Sequence, residues 1–149
     1  MRFKFYKRNK KIKQAMKIAE KILALDEFYS KIESITSFDN SNISPAEIAE
    51  QIRSYRTVVI IRTIWNPRIG NAVASSSKFF KINTLRLGRK RTIPKVVNTI
   101  IHEYVHCVDF NNDTLEFTHF DNENTNGEED NTAPWKIGEI AEEFAENLT

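Results

Sequence analysis

Between Pro94 and Val108 the chain carries Val96, Val97, Ile100, Ile101, Tyr104, Val105 and Val108. At about 100° of rotation per residue these positions spread around most of a helix, which leaves no broad face for water. Such an element has to lie at the centre of a fold, and the rest of the chain has to wrap it. Thr92 or Ile93 stands near its cap and Pro94 in its first turn, where a missing amide hydrogen is tolerated, so the predicted helix covers about 94–110. With 149 residues the chain suits one domain, expected over 1–149. Cys107 is the single cysteine, which excludes an internal disulfide framework and a Cys-pair zinc ribbon. Any metal must therefore be held mainly by His and carboxylate.

The other elements follow from periodicity. From Lys10 to Ile35, the apolar residues Ile12, Ala15, Met16, Ala19, Ile22, Leu23 and Leu25 recur at helical spacing opposite a face rich in lysine. Residues 1–36 thus read as a basic amphipathic helical segment. Ser44, Pro45 and Glu47 match a helix cap, a first-turn proline and a capping-box acid, which predicts a short helix to about Arg53. Thr57–Trp65 is β-branched and aromatic, the composition of a buried strand, and Lys78–Leu87 alternates like an edge strand. Asn111–Asn131 is polar, acidic and aperiodic, which predicts a long loop. Trp135–Leu148 is amphipathic again and predicts a last helix over about 135–148. The fold class expected is α+β, with a small mixed or antiparallel sheet beside the central helix.

A net charge of +2 conceals a strong polarity along the chain. Residues 1–21 hold nine Lys/Arg and one acid, Glu20, whereas residues 109–149 hold twelve acids and one base, Lys136. No window approaches the ~18 apolar residues of a membrane span, and the basic N-terminus leads into an amphipathic pattern unlike a signal peptide. A cytoplasmic, reducing location is the expectation.

Within the central helix stands His102-Glu103-Tyr104-Val105-His106, an H-E-x-x-H pattern that holds two of the three histidines in the chain. Positions 102 and 106 lie about 40° apart and one turn along, so both imidazoles project to one side. That spacing lets two nitrogens reach one zinc at about 2.0–2.1 Å, with Glu103 near a metal-bound water without being a ligand. Zinc lowers the pKa of its water, Glu103 takes the proton as general base, and the hydroxide attacks a polarised carbonyl.

A catalytic zinc needs a third protein ligand. His119, the remaining histidine, is the first candidate. Glu139, at the start of the last helix, is the alternative. Asp109 shares the metal face of the helix but lies one further turn along, which fits a carboxylate that orients a ligand imidazole. Cys107 is turned about 100° from the ligand side, which fits a buried inert thiol.

His102-Glu103-x-x-His106 on a helix preceded by strands and followed by a C-terminal helix resembles the zincin superfamily of zinc metallopeptidases. More particularly, residues 57–149 resemble small SprT-like metallopeptidases and short metallopeptidase-like proteins of phages and other mobile elements. The stretches that carry this are Phe117-Thr118-His119-Phe120-Asp121-Asn122 and Thr132-Ala133-Pro134-Trp135-Lys136-Ile137-Gly138. Phe120 stands where that pattern usually has Gly. A weaker likeness to the ImmA/IrrE regulatory peptidases runs through Glu139-x-Ala141-Glu142-Glu143-Phe144-Ala145. The resemblance implies a minimal zincin-like domain and a zinc-dependent endopeptidase, acting on a protein or peptide laid along an edge strand beside the active-site helix. Lys78–Leu87 is the candidate edge, with Lys81 and Asn83 as substrate-binding candidates beside Tyr104 and Trp135.

A rival reading is a nucleic-acid-binding or regulatory module with a structural or vestigial zinc. It draws on the basic residues of the first helix, the interleaved Phe3, Phe5 and Tyr6, and the turn Arg89-Lys90-Arg91. Calcium binding by Asp121–Asp130 is disfavoured, since the segment lacks the turn Gly and closing Glu of an EF-hand loop.

Overall fold

A computed structural model describes residues 1–118 and 131–149. In chain order its elements are β1 (Phe3–Lys4), α1 (Lys10–Ile22), α2 (Asp26–Glu33), α3 (Pro45–Ser54), β2 (Val59–Ile64), β3 (Ala72–Ala74), β4 (Phe79–Asn83), α4 (Ile93–Asp109) and α5 (Ala133–Leu148), with a 3-10 turn at Thr84–Arg86. The architecture is α+β, with a mixed sheet of four strands in the order β1-β2-β4-β3. The first three strands in that order run parallel, and β3 is antiparallel to β4.

The central helix forms as its apolar run requires. Thr92 caps α4 by accepting from the Lys95 amide, and Val96, Val97, Ile100, Ile101, Tyr104, Val105, Cys107 and Val108 are all buried. α4 packs on β3 and β4, while α1 and α5 pack on α4. Phe80 and Ile82 of β4 and Val59 and Ile61 of β2 are buried, while Ile60 between the latter two is half-buried and Arg62 after them is exposed, the alternation of a half-covered sheet. α3 starts with the full capping box: Glu47 N donates to Ser44 Oγ, and Ser44 N donates to Glu47 Oε2 at 2.7 Å.

Three features depart from the sequence reading. The amphipathic stretch Lys10–Ile35 is two helices, because the chain turns extended at Leu25 and restarts with Asp26 and Glu27 in a new first turn. The bend lets Phe28, Tyr29 and Ile32 bury as α2 packs against α3 and α5, which a straight continuation of α1 would not reach. Second, Phe3–Lys4 adds a strand parallel to β2, pinned by Glu20 Oε1, which accepts from Arg2 N at 2.9 Å and Phe3 N at 3.1 Å. Third, the stretch expected as the edge lies inside the sheet. β4 is paired on both sides, and the sheet's edges are β1 and, beside β4, the three-residue strand β3. No helix among the described residues is long and apolar enough to cross a membrane.

Candidate functional site

One stripe of α4 is not covered by the core. Lys95, Thr99, His102, Glu103 and His106, with Phe110 at the cap, recur at three- and four-residue spacing and line a cleft of about 860 Å³. One wall is β3 with the loop Arg68–Asn71, and the other is Trp135, Glu139 and Glu142 of α5. His102 and Glu103 are nearly buried, at 8% and 6% exposure, so the motif lies at the floor.

The two imidazoles face the same side, with ring centroids 5.0 Å apart, and the Trp135 indole stands edge-on to His102 at 4.8 Å. This pair fits two positions of a zinc site in donor type and spacing. Glu139 lines the same cleft, where its Oε2 accepts from Lys136 Nζ at 3.2 Å. Among the described residues, no group of three His, Cys, Asp or Glu side chains stands close enough together to hold a metal ion. His119 lies in 119–130, outside the described residues, as do Phe120 and the acidic stretch Asp121–Asp130.

α5 comes close to α4 because Gly138 has no side chain: a Cβ there would overlap Asn98 Oδ1 and stand 3.2 Å from Asn98 O. Beside it, Asn98 Nδ2 donates to Glu142 Oε2 at 2.7 Å. The strand wall is set by Asn83. Its Nδ2 donates to the carbonyls of Asn66, Ile69 and Gly70 at 2.7, 3.0 and 3.0 Å, and its Oδ1 accepts from Asn66 N at 3.2 Å. A fully buried amide thus shapes the loop that delivers β3 to the cleft.

Several candidates therefore serve other ends than expected. Asn83 organises that loop and does not line the cleft, nor does Lys81, which alternates with the buried Phe80 and Ile82 and so projects from the opposite face. Tyr104 points into the core, with its ring 5.1 Å from Phe3 and 6.0 Å from Tyr55, and burial pushes its hydroxyl up to about 12. Among the described residues the partners of Asp109 are loop groups and not imidazoles: Oδ1 accepts from Glu116 N at 2.7 Å and Asn112 Nδ2 at 3.1 Å, and Oδ2 from Phe117 N at 3.2 Å. One carboxylate thereby ties the loop after α4 to the helix end. Cys107, by contrast, is the buried inert thiol expected of its place on the helix: it is fully buried, its thiol lies against Phe79 O, and burial raises its pKa well above the ordinary thiol range.

The sequence reading missed β3 and Arg91. β3 is three small or β-branched residues between Asn71 and a serine run, too short for a period to register. In sequence Arg91 is only the end of a basic turn, and it joins the cleft because its side chain reaches forward over the start of α4 to Lys95 O and Thr99 Oγ1. No family model, no curated protein and no solved structure matches this chain.

Proposed function

We propose that this chain is a zinc-dependent peptidase that cuts within a protein or peptide. The observation that supports it most is the pair His102 and His106, on one side of a buried helix, flanking Glu103 and opening on a cleft whose wall is a sheet edge. His102 and His106 would hold the metal, with His119 as third donor and Glu139 as the alternative. Zinc, when bound there, supplies a Lewis acid that polarises a carbonyl and makes water acidic near neutral pH. Glu103 takes the proton of the attacking water and passes it to the departing amine. β3 offers main-chain groups to an extended substrate, and the cleft continues past the motif in both directions, toward Arg91 and toward Phe110, which suits an internal stretch of chain. Trp135 buttresses His102 and excludes water from one side of it.

Glu103→Gln is the deciding variant. It should keep zinc, measured by metal analysis of the purified protein, and lose cleavage of a quenched-fluorescent peptide pool by at least about a hundredfold. Cleavage as fast as wild type would overturn the role of Glu103.

A second reading, nucleic-acid binding with a structural zinc, draws on one further observation. Residues 51–102 contain eleven Lys/Arg and no acid, and Lys4 and Arg62 stand exposed on the open face of the sheet, with Lys10, Lys13, Lys17 and Lys21 exposed along α1. Under that reading Glu103→Gln changes nothing, and oligonucleotide binding weakens steeply with salt.

A further inference from the structure

Arg91 lines the same cleft as the motif and makes no salt bridge among the described residues, Glu142 acting on its charge only from a distance. Its Nη2 donates to Thr99 Oγ1 and, at 3.4 Å, to Lys95 O, both neutral acceptors. Its Nε is buried and has no hydrogen-bond partner among the described residues. The carboxylate nearest in role, Glu142, gives Oε2 to Asn98 Nδ2 at 2.7 Å and makes no ion pair with Arg91 among the described residues. Lys95 and Arg68 line the cleft as well, and Glu103, Glu139 and Glu142 balance the three bases in number, so the case for a ligand at Arg91 rests on its own unfilled hydrogen bonds. Burial works against the arginine's charge and lowers its pKa, with Glu142 opposing the shift in part, and an anionic ligand would offset the burial further. The guanidinium is also held in place from behind. Lys11 Nζ of α1 donates to the carbonyls of Gly88 and Arg91 at 2.9 and 2.7 Å, which fixes the turn that carries it.

We propose that Arg91 is a carboxylate-binding subsite of this cleft, which selects peptides bearing a carboxylate close to the bond at the motif. The position follows from the helix. Thr99, to which Arg91 is bonded, precedes His102 and Glu103 by about 4.5–6 Å along the axis. An extended peptide advances about 3.3 Å per residue, so the carboxylate falls within about two residues of the reacting carbonyl. The planar fork of an arginine pairs with a carboxylate through parallel hydrogen bonds, which a glutamine side chain cannot reproduce. Either an acidic side chain or a free C-terminus supplies that group.

The choice of ligand class rests on the peptidase reading, and the test separates the two. Binding is measured on the full chain without added zinc, by following the arginine Nε–H signals in NMR titrations. The probes are acetyl-Ala-Glu-Ala-amide, its Gln counterpart, acetyl-Ala-Ala-Ala with a free carboxylate, and the same peptide amidated. The expected result is saturable movement of the Arg91 signal, with the carboxylate peptide of at least one pair binding about tenfold tighter than its neutral partner. The pair that discriminates identifies the source of the carboxylate. Arg91→Gln should abolish the preference and Arg91→Lys should retain part of it. Equal binding of charged and neutral peptides by the wild type overturns the proposal even where a variant fails to fold, and so does a preference that survives in a folded Arg91→Gln. If peptides discriminate but the zinc-loaded protein cleaves nothing, the peptidase reading fails and the carboxylate site stands.

Discussion

Tyr104, the residue after Glu103 on α4, accepts a hydrogen bond from Arg2 Nη1 at 3.0 Å on its hydroxyl. The same guanidinium donates to the carbonyls of Ile52, Arg53 and Tyr55 at 3.1, 2.9 and 2.7 Å, so it caps the end of α3 while gripping the back of the motif helix. The basic N-terminus, which the family resemblance leaves out, is thus knitted into the fold at Arg2 and Lys11. Arg2→Met should leave three carbonyls and a buried hydroxyl short of a donor. A loss of about 2–3 kcal/mol is expected in urea unfolding, and an unchanged midpoint would show that water replaces these bonds at no cost.

The same hydroxyl predicts a response to alkali. Burial raises the Tyr104 hydroxyl from the ordinary 10.0 to about 12, with Arg2 opposing the shift. The folded protein therefore holds this proton more tightly than the unfolded chain. The stabilisation is complete below about pH 10 and is lost as pH rises toward about 12, a span worth roughly 3 kcal/mol. Tyr104→Phe should flatten that limb of the stability profile, read by unfolding at a series of pH values. A limb of equal steepness in the variant would assign the effect to another group.

Metal dependence separates the candidate ligands. Zinc should raise the melting temperature of wild type, with about 2.7 kcal/mol of stabilisation at a free concentration a hundred times the dissociation constant. His102→Ala and His106→Ala should each abolish that rise. If His119 is the third donor, His119→Ala matches them and Glu139→Ala does not, and the reverse result moves the ligand to α5. Zinc binding that persists in His102→Ala would remove the motif from the metal site.

The sequence made α4 legible because one pattern carried two signals, an apolar run that demanded burial and an H-E-x-x-H spacing that set His102 and His106 on one side. The capping box at Ser44–Glu47 and the start of α4 at Thr92 were equally plain, since a cap is a local device that tertiary contacts need not complete. What stayed hidden depends on contacts distant in sequence. β1 exists through its pairing with β2 and the grip of Glu20, and nothing in two residues announces a strand. Lys78–Leu87 alternates as an edge strand would, but alternation reports one covered face and says nothing of whether a neighbour pairs on each side. The helix wheel puts Asp109 on the metal face and the edge-strand reading puts Asn83 beside a substrate, yet both spend their hydrogen bonds on backbone amides or carbonyls of adjacent loops.

Asp109 gives a test that distinguishes loop anchoring from a role at the metal. Its oxygens take the amides of Glu116 and Phe117, and it is 1% exposed. Asp109→Ala should expose those two amides to hydrogen exchange and destabilise the protein by about 1–3 kcal/mol, while zinc affinity in the folded variant stays near wild type. A loss of zinc affinity of about 10- to 100-fold with protected amides would restore the imidazole-orienting role.

Asn83 offers the sharpest link between the interior of the fold and the cleft. Its amide nitrogen serves three carbonyls of the loop 66–70, and that loop delivers β3, the strand available to an extended substrate. Asn83→Asp replaces an amide whose two N–H groups are shared among three carbonyls with an acceptor, and sets a carboxylate against those carbonyls, without altering any residue that lines the cleft. The expected result is a zinc-replete protein that binds and cleaves peptides about tenfold or more worse through a higher KM, because the main-chain pairing surface is displaced while His102, Glu103 and His106 stay in place. A fall in kcat with unchanged KM would instead mean that the loop acts on the motif itself, and β3 would lose its place as the substrate's partner strand.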